Sequence, residues 1–207
     1  MGMVCALYRA TNKEIDGLVE SPETLDDFIE EIEGPGLPVR EVRPKGILGF
    51  LLRLTPIKIE EVVPEEERGN APPGRPPDPE RSMDIEKAWH GLHFLFTGVA
   101  DGGEEPACYL TSGGESIGDD GYAHALRPDQ TRRFAEFLSA ITPDALRQRY
   151  DPVRMTSLGI YPDVIWAREP GKNGDSPVEW LINAFEDIQA FVGKAAAAGD
   201  GMVIQIS

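Results

Sequence analysis

Residues 177–198, PVEWLINAFEDIQAFVGKAAAA, and the MVIQI that follows at 202–206 decide how this chain is read. Val178, Leu181, Ile182, Phe185, Ile188, Val192 and Ala195 recur at the 3.6-residue period of a helix with one buried stripe. Ser176 and Glu179 form the S-x-x-E pattern, in which each side chain takes up a backbone N–H of the other's residue. Pro177 sits at the first helical position, where its missing N–H costs nothing. At 1.5 Å per residue such a helix is about 33 Å long, enough to run the length of a small domain. MVIQI then reads as a terminal strand.

Working outward, the same Ser/Thr/Asp-Pro start recurs at Ser21-Pro22, Thr142-Pro143 and Asp151-Pro152. VCALYR at 4–9 predicts a first strand, and Thr11 caps a helix over 12–20. The helix from Ser21-Pro22 runs through Leu25, Phe28, Ile29 and Ile32 to Gly34. Residues 34–46 are a loop, and Ile47–Leu54 predicts a short packed helix. Residues 60–81 hold six of the 18 prolines and seven acidic residues, a mobile Pro/Glu-rich insertion that cannot bury a core. Further helices are expected at 84–97, 128–141, 143–150 and 152–158, with a strand at Ala107–Thr111 and a Gly-rich turn region at 112–121. The strands are few and do not alternate strictly with helices. The expected fold is therefore α+β: a single domain over 1–207, with a small, mostly antiparallel sheet packed against several helices.

The chain has 207 residues and a formal charge of −16. That charge opposes nucleic-acid binding, which depends on Lys and Arg neutralising phosphates, and it opposes anionic membrane surfaces. It favours a basic protein partner. Nothing in the sequence sets the oligomeric state. Apolar runs such as Ile47–Leu52 and Phe94–Phe96 fall far short of the about 20 residues of a membrane span. The start Met1-Gly2-Met3 shows no secretory pattern, and Ala6 stands where a myristoylation motif wants Ser or Thr. Cys5 and Cys108 are the only cysteines and are expected to be buried and reduced, so the protein is expected in the cytoplasm.

The segment DIEKAWHGLHFLFT at 84–97 carries the candidate chemistry. On a helix, Ile85, Trp89, Leu92 and Phe96 share a core face, and Glu86, His90, His93 and Thr97 line a second stripe beside it. Carboxylate and imidazole suit zinc, iron or acid–base work. One helix supplies only three ligands, however, and no other His or Cys has suggestive spacing. Packing with satisfied polar groups is the first reading, a ligand site the second, and a metal on Glu86, His90 and His93 the third. No cofactor motif is present. Tyr161, Asp163 and Trp166 in IYPDVIW, together with Trp89, His90, His93 and Tyr122, are the candidates for a shared ligand pocket. Glu115, Asp119 and Asp120 give the 112–121 turn an affinity for cations rather than phosphate, without calcium-loop spacing.

The MGM start, DIEKAWHGLHFLFTG at 84–98, GGESIGDDGY at 113–122, YDPVRM at 150–155, IYPDVIW at 160–166 and the closing KAAAAGDGMVIQIS together resemble the YfbM-like family, bacterial proteins of unknown function. The matching positions are Trp89, His90, His93, Gly113, Gly114, Gly118, Tyr122, Asp151, Met155, Tyr161, Pro162 and Trp166. The resemblance implies a soluble, intracellular α+β domain and brings no activity or cofactor. From the resemblance a G-P-A-R run is expected after the G-Y step, and Ala123-His124-Ala125-Leu126 stands there instead; if that arginine serves an anionic ligand in relatives, this chain has lost it or substituted Arg127. The leading expectation is a non-enzymatic binding protein, of the immunity or accessory kind. The alternative is a small-ligand- or metal-binding enzyme or sensor, with its pocket between the 84–97 helix and the 160–166 segment.

Overall fold

The computed structural model describes residues 3–34, 39–41, 60–62, 78–168 and 176–207. The chain forms two units, one of Met1–Asp26 with Pro79–Ser207 and one of Asp27–Asp78. The expected helix at Ile47–Leu54 lies outside the described residues.

In the larger unit, β1 (Cys5–Ala10) and β7 (Gly201–Ile206) pair antiparallel along their whole lengths, from Cys5 opposite Ile206 to Ala10 opposite Gly201. With β4 (Ser82–Asp84), β5 (Glu115–Ile117) and β6 (Ala123–Leu126) they make a five-stranded sheet of order β4-β1-β7-β6-β5, antiparallel at every step. The class is α+β, with a long C-terminal helix.

Side chains on successive strand residues point to opposite faces, and the register sorts them here. Leu7, Ile204 and His124 stand side by side on one face. On it lies the main core, which includes Phe134 and Leu138 of α4 (Pro128–Ser139) and Phe185, Ile188 and Val192 of α7 (Pro177–Ala198). Tyr8, Val203 and Ala125 occupy the other face. There Gly201 lies beneath Ile15 of α1 (Asn12–Glu20): a Cβ on Gly201 would come within 2.4 Å of Ile15 Cδ1 and 2.5 Å of Leu126 O, so only glycine fits.

Most helix starts fall where the caps place them. Thr11 and Glu14 form a full capping box, and the Thr142 and Asp151 side chains accept from Ala145 N and Arg154 N at the heads of α5 (Pro143–Arg149) and α6 (Pro152–Ser157). Two caps differ from expectation. Ser21 makes no side-chain cap; Pro22–Thr24 forms a 3₁₀ turn leading into α2 (Leu25–Glu33). Ser176 accepts from Glu179 N, but the Glu179 carboxylate turns to Arg147, receiving Nε at 2.9 Å and Nη2 at 3.0 Å. A bidentate charged pair has displaced half of the box.

Three further expectations are corrected. Ala107–Thr111 is a run of turns, with Tyr109 N donating to Pro106 O and Thr111 N to Cys108 O. Its consecutive buried residues looked like a strand, but their backbone bonds are local. The helix expected from Asp84 begins at Ala88 as α3 (Ala88–Thr97), because Ser82–Asp84 is taken up by pairing with β1. The 60–81 insertion narrows at both ends. Glu60–Val62 is a strand (β3) paired with β2 (Val39–Glu41), and Arg81 donates to Arg9 O and to Glu14 Oε1. Cys5 and Cys108 are buried and free. Among the described residues no helix is long and apolar enough to cross a membrane.

Candidate functional site

Eight of the ten residues of α3 are buried, so this helix is covered on nearly every side. Its C-terminal carbonyls are held by cations: Arg149 Nη1 donates to Leu95 O at 3.1 Å, and Arg154 Nη2 donates to Gly98 O at 2.9 Å. Positive charge there complements the helix dipole. Gly98, at φ 76°, ends the helix in the left-handed conformation that glycine adopts freely.

The structure brings Trp89, His90, His93 and Tyr161 together, and it engages both ring nitrogens of His90 and one of His93. Tyr161 N–H donates to His90 Nδ1 at 2.9 Å, which makes that nitrogen the unprotonated one. His90 Nε2 lies 2.9 Å from Ala100 O and therefore carries the hydrogen. The Trp89 ring stacks on His90, with centroids 4.8 Å apart and planes 7° apart, and on Tyr161 at 6.1 Å. His93 is 0% exposed, and its Nδ1 lies 2.8 Å from Thr111 Oγ1. Burial first, and then the neighbouring His90 ring, push His93 down to about 4 against a partial pull from Asp101, so the ring is neutral at pH 7. Among the described residues His93 Nε2 and Trp89 Nε1 are buried without a hydrogen-bond partner.

The other candidates separate from this cluster. Trp166 is 1% exposed, and its Nε1 donates to Ile160 O at 2.6 Å, so its indole is a core plug. Asp163 is exposed on the 160–166 turn. Glu86 lies outside α3, at φ 49° in the connection from β4, which dissolves the Glu86/His90/His93 ligand set. Among the described residues no group of three or more His, Cys, Asp or Glu could hold a metal ion. Tyr122 belongs to a different surface altogether.

That surface is a cleft of about 340 Å³ between the Pro22–Asp26 turn and the β5–β6 hairpin. Glu23, Asp26, Asp120, Tyr122 and Gln205 supply its polar lining, and Pro22, Leu25, Ile117, Gly118 and Ala123 the remainder. Tyr122 is 57% exposed. Its backbone is fixed on both sides, since Asp120 Oδ1 accepts Tyr122 N at 3.1 Å and Ile206 N donates to Tyr122 O at 2.7 Å. Glu23 and Asp26 were not candidates in the sequence. The missing signal was strand β6, whose pairing with β7 brings Gln205 beside Ala123 and closes the cleft floor.

The AHAL run at Ala123–Leu126 is β6 itself. His124 Nε2 lies 2.9 Å from Tyr109 O, and burial lowers its tendency to take a proton. Arg127 is no free anion hook: Nε and Nη2 donate to Glu115 at 2.6 Å each, and Nη1 donates to Asp16 and to Asn12 Oδ1.

A family model described as "Domain of unknown function (DUF1877)" matches residues 1–205. The crystal structure of YfbM from Escherichia coli, a protein of unknown function, is similar in fold. Its TM-score is 0.57 at 16% sequence identity, over 99% of each chain. None of the curated proteins matches the chain.

Proposed function

We propose, for a chain that belongs to the DUF1877 family of unknown function, that it works by binding a basic protein partner rather than by catalysing a reaction, and that the Tyr122 cleft receives a lysine or arginine side chain of that partner. The observation that carries this reading is the cleft lining: Glu23, Asp26 and Asp120 beside the exposed Tyr122 ring, with no Lys or Arg among the residues. A cationic head would meet the carboxylates while its aliphatic stem lies along the aromatic ring. The chain's charge of −16 extends the same preference to long range and speeds encounter with a basic surface. A non-enzymatic role of the immunity or accessory kind fits these features, and two buried free thiols suit the reducing cytoplasm.

Titration of ¹⁵N-labelled protein with tetralysine tests the reading. The expected result is saturable movement of the Gly118–Ala123 amides at low salt, weakening several-fold as salt shortens the Debye length. Asp26→Asn with Asp120→Asn should weaken it further, and the asparagine oxygen at 120 can still accept the Tyr122 N–H. Shifts spread evenly over the acidic surface, or a double variant that binds like the parent, would reject the cleft as the site.

A further inference from the structure

The bond between Tyr161 N–H and His90 Nδ1 has a direction that chemistry fixes. A backbone amide only donates, so Nδ1 must offer a lone pair. A carbonyl only accepts, so Nε2, beside Ala100 O, must carry the hydrogen. His90 is thereby written into one neutral tautomer. An imidazolium has N–H groups at both positions and no lone pair left to accept from Tyr161.

We propose that His90 is an acid-sensitive latch: it holds the 160–166 turn against α3, and protonation at Nδ1 releases that turn. The step adds one proton from solvent to the Nδ1 lone pair and breaks one N–H···N bond. The new N–H then points at the Tyr161 N–H, and the two donors repel.

The surroundings confine the motion to the middle of the turn. Its start is held by Ile160 N donating to Met155 O at 3.0 Å. Its end is held by Trp166 Nε1 donating to Ile160 O and by Tyr150 OH donating to Trp166 O at 2.7 Å. None of these groups changes charge in mild acid. Between the anchors, the Tyr161 ring packs on Trp89, and Val164 is already 70% exposed. Lifting residues 161–165 would uncover the Trp89 ring, now 8% exposed, and join it to Val164 in one apolar surface.

The charged and titratable groups around His90 can be named element by element. On α3 itself His93 lies 6.4 Å away, ring to ring, and its burial keeps it neutral down to about pH 4. Asp101 follows α3 and pulls His93 towards protonation. Arg154 of α6 is tied to Gly98 O and stands over Phe94. The turn contributes Tyr161 and the exposed Asp163. Histidine is the side chain among these whose charge ordinarily changes in mild acid.

Nuclear magnetic resonance on the intact chain, from about pH 7.5 to about pH 4.5, tests the proposal. The His90 ring nitrogens, the Tyr161 amide and Trp89 emission are followed together. We expect Tyr161 hydrogen exchange to rise about tenfold or more, corrected for pH, in step with His90 protonation. Two variants divide the latch into halves. His90→Asn keeps an acceptor at the Nδ1 position and cannot titrate, so the turn should stay docked throughout. His90→Gln keeps a donor at the Nε2 position only, so Tyr161 should be unprotected already at neutral pH. His124→Gln, which alters the buried imidazole beside Tyr109 O, should leave the transition in place. A Tyr161 amide that stays protected while His90 is protonated would overturn the proposal. So would a transition that persists in His90→Asn. If either variant fails to fold, the parent's own resonances decide.

Discussion

Gly91→Ala sets two well-measured effects against each other. Glycine inside a helix is worse than alanine by about 0.5–1 kcal/mol, so on propensity alone the change should stabilise. Packing points the other way. A Cβ at position 91 would stand 2.7 Å from Trp166 Cη2 and 2.8 Å from Leu181 Cδ2, distances that real Cβ atoms do not tolerate. Trp166 cannot easily swing aside, because its Nε1 is bonded to Ile160 O and its ring lies against Trp180 at 6.3 Å. Leu181 is fully buried in the first turns of α7. Overpacking of this kind costs about 1–3 kcal/mol. After subtracting the propensity gain, Gly91→Ala should destabilise the protein by up to about 2.5 kcal/mol. Equilibrium urea unfolding measures this, followed by the emission to which Trp89, Trp166 and Trp180 all contribute. Leu181→Ala costs stability alone, yet it should remove part of the penalty of Gly91→Ala when the two are combined, giving a favourable coupling energy, while the clash with Trp166 Cη2 remains. A Gly91→Ala protein more stable than the parent would refute the close approach of α3 to Trp166. A double variant with strictly additive losses would refute Leu181 as the clashing partner.

Two further outcomes rest on charge. Arg127→Met removes the fork on Glu115 and the contact with Asp16, and since these partners are largely exposed the loss should be only about 1 kcal/mol, shrinking in high salt; an unfolding midpoint unmoved at low salt would make the cluster ornamental. His93, pushed down to about 4 in the folded chain, binds its proton more readily when unfolded, so its contribution to stability is complete above about pH 6.5 and is lost as pH falls towards 4. The loss amounts to at most about 3 kcal/mol. It should be missing from the pH–stability curve of His93→Gln, and a parent curve flat between pH 7 and pH 4.5 would contradict the burial of this ring.

The helices were legible because their determinants are local. Thr11 with Glu14, Thr142 with Ala145 N, and Asp151 with Arg154 N are contacts between residues three apart, and a sequence prints such spacings directly. Strands depend on partners that the sequence does not place. Ala123–Leu126 is buried at all four positions, so it shows no alternation, and only its pairing with Gln205–Met202 on one side and Glu115–Ile117 on the other makes it a strand. Cys108–Leu110 showed a run of buried residues and proved to be turns. The candidate site failed in the same way. The clustering of Trp89, His90, His93 and Tyr161 was foreseen, because most of it follows helical spacing. The commitment of both His90 nitrogens depends on Ala100 O and Tyr161 N, backbone atoms whose positions no side-chain pattern records. Tyr122 was singled out as part of a histidine pocket, whereas its neighbours are Glu23 and Asp26, about a hundred residues away in the chain.

The central pair of strands bears on how the protein comes into being. β1 and β7 pair from Cys5 opposite Ile206 to Ala10 opposite Gly201. During synthesis the first strand therefore leaves the ribosome long before its main partner exists. Until residues 201–206 are released, Leu7 and Cys5 have no β7 to cover their edge, and β6 lacks the strand that joins it to β1. Contacts so distant along the chain make folding slow, and a nascent strand waiting with an open edge is exposed to mispairing. A chain lacking residues 201–206 can still pair β1 with β4 and β5 with β6, but it has no strand to join the two pairs. Arrival of residues 201–206, rather than formation of any helix, is then the event that joins the sheet into one.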